Sequence, residues 1–186
     1  MSPSLRKLFG NQVPANAWRE PLLLLLQRAT ATSGIPQWMI DTLLGKTGHG
    51  IHLGVFVEPY LGFILEGKKT IESRFSMHKH APFQQVNPGD LIILKRSSGP
   101  VRGICRVSHA WYYRVDATTW DEIESYAAAL CMDASPFWQS KKAASYATLM
   151  RIEDVCRLPD LEIDKVDPQS WVVLKPSQKQ PRLTGL

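Results

Sequence analysis

Lys69, Glu72 and Arg74 put three ionisable side chains into one short stretch, Gly67-Lys68-Lys69-Thr70-Ile71-Glu72-Ser73-Arg74, spaced G-x-K-x-x-E-x-R. On a strand, side chains alternate between two faces, so Glu72 and Arg74 share a face with Thr70 beside them. A carboxylate and a guanidinium on one face either pair with each other or hold a polar ligand between them. Lys69 has the opposite parity and reaches that face only if the chain bends just after Gly67. A Glu72 partly buried between two cations stays ionised and accepts hydrogen bonds from amino or imino groups, such as those on a base edge. Lys69 and Arg74 would then meet phosphate or a carbonyl oxygen. The plainer alternative is a salt-bridged strand that closes a barrel, a pair that contributes little at a surface.

The positive charge gathers around this stretch. From Gly67 to Val115, the nine bases Lys68, Lys69, Arg74, Lys79, Lys95, Arg96, Arg102, Arg106 and Arg114 stand against two acids, Glu72 and Asp90. That segment carries +7, the whole chain +5, and the remainder −2. A concentrated basic surface favours polyanions, chiefly nucleic acid. Lys95 and Arg96 precede Ser97-Ser98-Gly99 at a hairpin tip that suits phosphate, although it lacks the Walker frame. Arg102 and Arg106 share the polar face of an alternating strand. Tyr112, within Trp111-Tyr112-Tyr113, offers a ring on which a single-stranded base can stack. The candidate ligand contacts are therefore Lys68, Lys69, Thr70, Glu72, Arg74, Lys95, Arg96, Arg102, Arg106 and Tyr112. Lys69 and Glu72 are the catalytic candidates if the chain is an enzyme.

Other chemistry finds less support. Cys105, Cys131 and Cys156 are odd in number and far apart, without a C-x-x-C pair. That spacing predicts reduced, mostly buried thiols and a cytoplasmic location. His78 and His80 form an H-x-H pair with no evident third ligand, so they read as polar loop residues, and no metal or cofactor is expected. His49, His52 and His109 carry no assigned role. The only strongly apolar run, Leu22 to Leu26, is far short of a membrane span, so no membrane association is expected. Apolar residues at 44% and charged residues at 21% are ordinary for a globular chain.

The elements that must position these residues can be read from patterning. Residues 1–16 read as a loose arm. Helices are expected over 18–28 and from Ile35-Pro36 to Leu44, closed by Gly45. Strand 51–57 leads into a short helix, 58–66, capped by Gly67. The motif strand follows at 69–75. Pro88-Gly89 turns the chain into strand 91–95, whose Leu-Ile-Ile-Leu run is apolar on both sides, as a buried strand should be. Strand 101–109 alternates. Thr118 with Asp121 reads as the start of a helix running to about Cys131. Ser135-Pro136 starts another that ends near Ala144. Strands at 146–158 and over Trp171-Val172-Val173-Leu174 complete the core.

The order of these features resembles the ASCH family, a branch of the PUA-like proteins. The likeness rests on Glu58-Pro59-Tyr60 with Phe63-Ile64-Leu65, on the G-x-K-x-x-E-x-R octapeptide, on Val86-Asn87-Pro88-Gly89-Asp90 leading into Leu91-Ile92-Ile93-Leu94, and on the strand from Gly99 to Val107. It spans roughly residues 51–175. The resemblance implies an α+β fold: a PUA-like, mostly antiparallel β-barrel with inserted helices, preceded by a helical extension over 1–50 and followed by a tail over 176–186. It also implies binding of RNA or a modified nucleotide in a cleft lined by the motif. One ASCH-like branch hydrolyses N4-acetylcytidine. Its nucleophilic lysine matches Lys69, its assisting threonine falls at Glu72 here, and its remote carboxylate would be Glu122 or Glu124. Ribonuclease activity occurs among other relatives. The N-terminal helices read either as a pad packed on the barrel or as a hairpin that binds a partner; a third reading of the chain, a protein-interaction domain, places the function in them.

Overall fold

The structure, a computed structural model, describes residues 16–30, 34–165 and 167–178. The expected N-terminal arm, apart from Asn16, and the tail beyond residue 178 lie outside them. The chain first makes two helices, α1 (Arg19–Thr30) and α2 (Gln37–Leu43). Next come β1 (Ile51–Phe56), α3 (Tyr60–Leu65), β2 (Ile71–Ser76), β3 (Leu91–Arg96) and β4 (Val101–Arg114). Three short helices, α4 (Ala117–Glu124), α5 (Ala127–Leu130) and α6 (Pro136–Lys141), precede β5 (Tyr146–Leu161) and β6 (Trp171–Lys175).

The strands form one sheet in the order β2-β5-β4-β3-β1-β6, curled into a half-barrel. β1 and β3 run parallel. The other pairings are antiparallel. Burial follows the pleat. On β3, Leu91 and Ile93 pack with the N-terminal helices, whereas Ile92 and Leu94 pack inside the half-barrel. That two-sided burial is why the strand reads as a continuous apolar run.

The N-terminal helices sit on the outer face. Trp18, Leu22, Leu26 and Thr30 recur every fourth residue and are all buried, which gives α1 a single stripe to bury. Ile35, Met39 and Leu43 repeat the spacing and join the same core as Ile51, Leu53 and Val172. Helices this short are stabilised by such packing rather than by intrinsic propensity. The helix expected from Thr118 starts two residues earlier. Asp116 is its N-cap, accepting from Thr119 N at 2.9 Å while Thr119 Oγ1 accepts from Asp116 N at 2.8 Å. This closes a reciprocal box that Thr118 and Asp121 do not form.

β4 and β5 are longer than their patterns indicate. β4 continues through Trp111, Tyr112 and Tyr113, which pair with Leu149, Thr148 and Ala147. Three register shifts along this ladder bend the two strands and wrap the sheet.

Candidate ligand-binding site

The motif converges because of what comes before it. Helix α3 ends at Gly67, where φ is +73°, a conformation that suits glycine. The amides of Lys68 and Lys69 then both donate to Phe63 O, at 2.9 and 3.0 Å. The turn carries the Lys69 side chain inward, to the side where β2 presents Glu72 and Arg74. All three side chains line one hollow of about 240 Å³.

Each side chain is held differently. Lys69 Nζ donates to Leu130 O at 2.8 Å, at the end of α5, and lies 3.6 Å from Glu72 Oε2. The rings of Tyr60 and Trp138 flank the ammonium at 5.8 and 5.7 Å. Burial pulls the Lys69 ammonium down from its ordinary value, and the Glu72 charge restores part of the loss. Arg74 crosses the open seam of the half-barrel. Its Nη1 donates to Val55 O at 3.1 Å and to Ser170 O at 3.2 Å. Its guanidinium lies over Phe56 and Trp171, at 4.7 and 5.0 Å. Burial lowers its pKa too, again opposed by Glu72.

Glu72 is the group with capacity to spare. It is 5% exposed. Arg74 Nε approaches Oε1 to 2.8 Å, but its N–H is not aligned on that oxygen. Among the described residues the carboxylate is therefore held by two cations and by no aligned donor. A buried carboxylate has about four lone-pair sites, so a ligand N–H entering the hollow meets an acceptor already fixed between two cations.

Aromatic rings wall the hollow. Tyr60 from α3 stacks on Phe137 from α6, with ring centres 5.2 Å apart, and meets Trp138 edge-on. Phe137 is 41% exposed at the rim. Lys141, four residues after Phe137, also lines the cavity and lies over the Phe137 ring at 4.4 Å. The sequence pattern does not single out Trp138, Phe137 or Lys141 as site residues. The available signal was the i, i+4 pairing of Phe137 with Lys141 beside an adjacent tryptophan, since neighbouring residues on a helix cannot share a buried face.

The remaining candidates lie elsewhere. Lys68 is exposed and pairs with Glu66 at 2.7 Å. Thr70 is exposed, and its main chain bridges Ala129 O and Ile152 N. Lys95 is buried and donates to the carbonyls of Arg96 and Gly99 at 3.1 and 2.6 Å, closing the hairpin tip from inside. Arg96 Nε lies 3.7 Å from Glu58. Arg102 pairs with Asp160 at 2.9 Å, and Arg106 with Glu153 and Asp154 at 2.8 and 2.7 Å. Strand pairing thus sets acids of β5 against Arg102 and Arg106, while Glu66 and Glu58 lie beside Lys68 and Arg96. Tyr112 is half-buried, and its hydroxyl donates to Val86 O. Glu122 accepts from the Tyr113 hydroxyl and Glu124 from Trp120 Nε1, so neither lines the hollow. Among the described residues no group of three or more metal-ligating side chains forms, and no helix is long and apolar enough to cross a membrane.

A second buried ionic cluster has the composition of a hydrolase triad but not its wiring. Asp90 Oδ2 lies 3.0 Å from His52 Nε2, and Ser177 is close by. The Ser177 hydroxyl, however, donates to Asp90 and not to the imidazole. Trp171 Nε1 donates to His52 Nδ1 at 3.3 Å, which leaves the ring proton on Nε2. With Gly50 N and Asn87 N also donating, at 2.6 and 2.8 Å, Asp90 is saturated. Burial pushes its carboxyl up, but His52, Asn87, Gly50 and Ser177 outweigh that and hold it below its ordinary value.

The comparisons with known proteins agree with this architecture. A crystal structure of an ASCH protein from Zymomonas mobilis superposes with a TM-score of 0.53 at 16% identity, over 67% of this chain and 87% of that one. Two single-substitution variants of that protein give 0.53 and 0.51, both at 15% identity, covering 69% and 67% of this chain and 91% and 90% of theirs. No protein-family model matches the chain, and no curated protein does. The chain has the PUA-like α+β fold of the ASCH domain.

Proposed function

We propose that this chain is a binding module for RNA or a modified nucleotide, and that it receives a single base in the hollow formed by Lys69, Glu72 and Arg74. One observation carries the reading: the buried carboxylate of Glu72, flanked by two cations and without an aligned donor, faces an aromatic-walled cavity. A base offers amino or imino hydrogens to such an acceptor and a flat face to Tyr60, Phe137 or Trp138. At about 240 Å³ the hollow lies below the range of drug-sized pockets. That favours one base over a longer segment. Lys141 at the rim and the cations beside Glu72 suit an anionic backbone. Cys105, Cys131 and Cys156 remain thiols, in keeping with a reducing cytoplasm.

Titration of a fluorescent single-stranded RNA against the wild-type protein and Glu72→Gln tests this. Glu72→Gln weakens binding at least tenfold, about 1.4 kcal/mol, and the wild-type affinity falls as salt rises. Equal affinities for the two proteins would overturn the assignment of the hollow.

Lys69 supports a second reading. A desolvated ammonium beside a carboxylate is a candidate amine nucleophile, so the same hollow suits a small hydrolase acting on an acylated cytidine. Acetate release from N4-acetylcytidine, lost in Lys69→Met, would favour it over binding alone.

A further inference from the structure

A larger hollow of about 520 Å³ opens beside the first. Arg74, Phe75 and Ser170 belong to both linings, so Arg74 stands between the two spaces. Their charge differs. The first presents Glu72. The second has no carboxylate among its lining residues, but it has Arg19, Arg74 and His80.

Arg19 is placed there by the start of α1. The neighbouring Trp18 is buried, and its indole N–H donates to Asp167 Oδ2 at 3.0 Å. Asp167 Oδ1 in turn accepts from Lys165 Nζ at 2.6 Å and from Gln169 N at 3.2 Å. This ties the helix to the loop whose Gln169 and Ser170 line the cavity. Arg19 Nε is buried, and no acceptor reaches it among the described residues. Arg19 itself is half-buried and lines the cavity, so its guanidinium can meet an anion that enters there, a charge-assisted contact. Arg74 spends its Nη1 on two carbonyls and turns its Nε towards Glu72 in the first hollow, so Arg19 is the arginine of this lining that has no carboxylate beside it among the described residues. His80 is exposed in the loop after β2 and adds a second polar group from a different element.

We infer that the second cavity is a phosphate subsite continuous with the base hollow. The ligand is then a nucleotide or a single strand rather than a free nucleoside. This rests on the base-binding reading of the first hollow. It also gives the N-terminal helix a role that its packing does not require: Arg19 is spent on the ligand, while Leu22 and Leu26 hold the helix to the sheet.

Parallel titrations of a single-stranded RNA tetranucleotide and of free cytidine against the wild type, Arg19→Gln and His80→Gln test the inference. The wild type binds the tetranucleotide at least tenfold more tightly than cytidine. Arg19→Gln weakens the tetranucleotide about tenfold, reduces its salt slope by about 0.7, and leaves cytidine within twofold. His80→Gln shifts the tetranucleotide alone, by less. If Arg19→Gln binds the tetranucleotide as the wild type does, or loses both probes equally, the phosphate subsite is refuted while the base hollow stands. If the wild type binds neither probe, both readings fall.

Discussion

Two ionic clusters lie buried on this half-barrel, and they are satisfied to different degrees. Asp90 receives hydrogen bonds from His52, Ser177 and the amides of Gly50 and Asn87. Glu72, buried almost as deeply, has two cations beside it and no aligned donor. A buried charge whose partners fill every site is a structural tie, because any ligand would have to displace a bond already made. A buried charge with open lone pairs beside a cavity remains available to a ligand. The contrast separates the cluster that joins β1, the Gly89-Asp90 turn and Ser177 from the cluster that has an open acceptor beside a cavity. Composition alone would have ranked them the other way, since serine, histidine and aspartate make up the former.

The sharpest way to break this comparison is to remove each carboxylate. Asp90→Ala strands several buried donors and should destabilise the fold by about 3–5 kcal/mol. Glu72→Gln strands no aligned donor, but it leaves the buried Lys69 and Arg74 without their counter-charge, so it should cost less than Asp90→Ala, about 1–3 kcal/mol. Denaturant midpoints measure both, and equal losses would erase the distinction.

A pH series sharpens it further. The pKa of Asp90 is depressed in the fold, so its contribution is fully present above its ordinary value of 3.8 and disappears as pH falls through the lower folded value. The stability gap between wild type and Asp90→Ala should therefore narrow below about pH 4. A gap that stays constant down to pH 2 would mean that Asp90 acts through packing rather than charge.

Much of the architecture was legible because its signals are local. Leu91 to Leu94 announced a strand buried on both faces. The Gly67 stop, with Glu72 and Arg74 two apart, located the motif and made its convergence conditional on the very bend that Gly67 supplies. The rest was set by distant pairing. Arg102 and Arg106 looked like a basic face until β5 brought Asp160, Glu153 and Asp154 beside them. Tyr112 looked like a stacking platform, but β4 continues through it and its hydroxyl finds Val86 O. Phe137, Trp138 and Lys141 sit on a short helix far along the chain, and packing of its rings against Tyr60 and Phe75 turns it towards the motif. His52 carried no signal, because its partners Asp90 and Trp171 are distant in sequence.

On the binding proposal, Lys69, Glu72 and Arg74 are arranged for a ligand and not for stability. Lys69→Met, read by thermal melting and RNA titration on the same preparation, tests it most directly. Because Arg74 stays beside Glu72, replacing the Lys69 ammonium by an apolar chain of similar length lowers the melting temperature only slightly, while RNA affinity falls at least tenfold. A variant that melts several degrees lower yet binds RNA as tightly as the wild type would contradict the account.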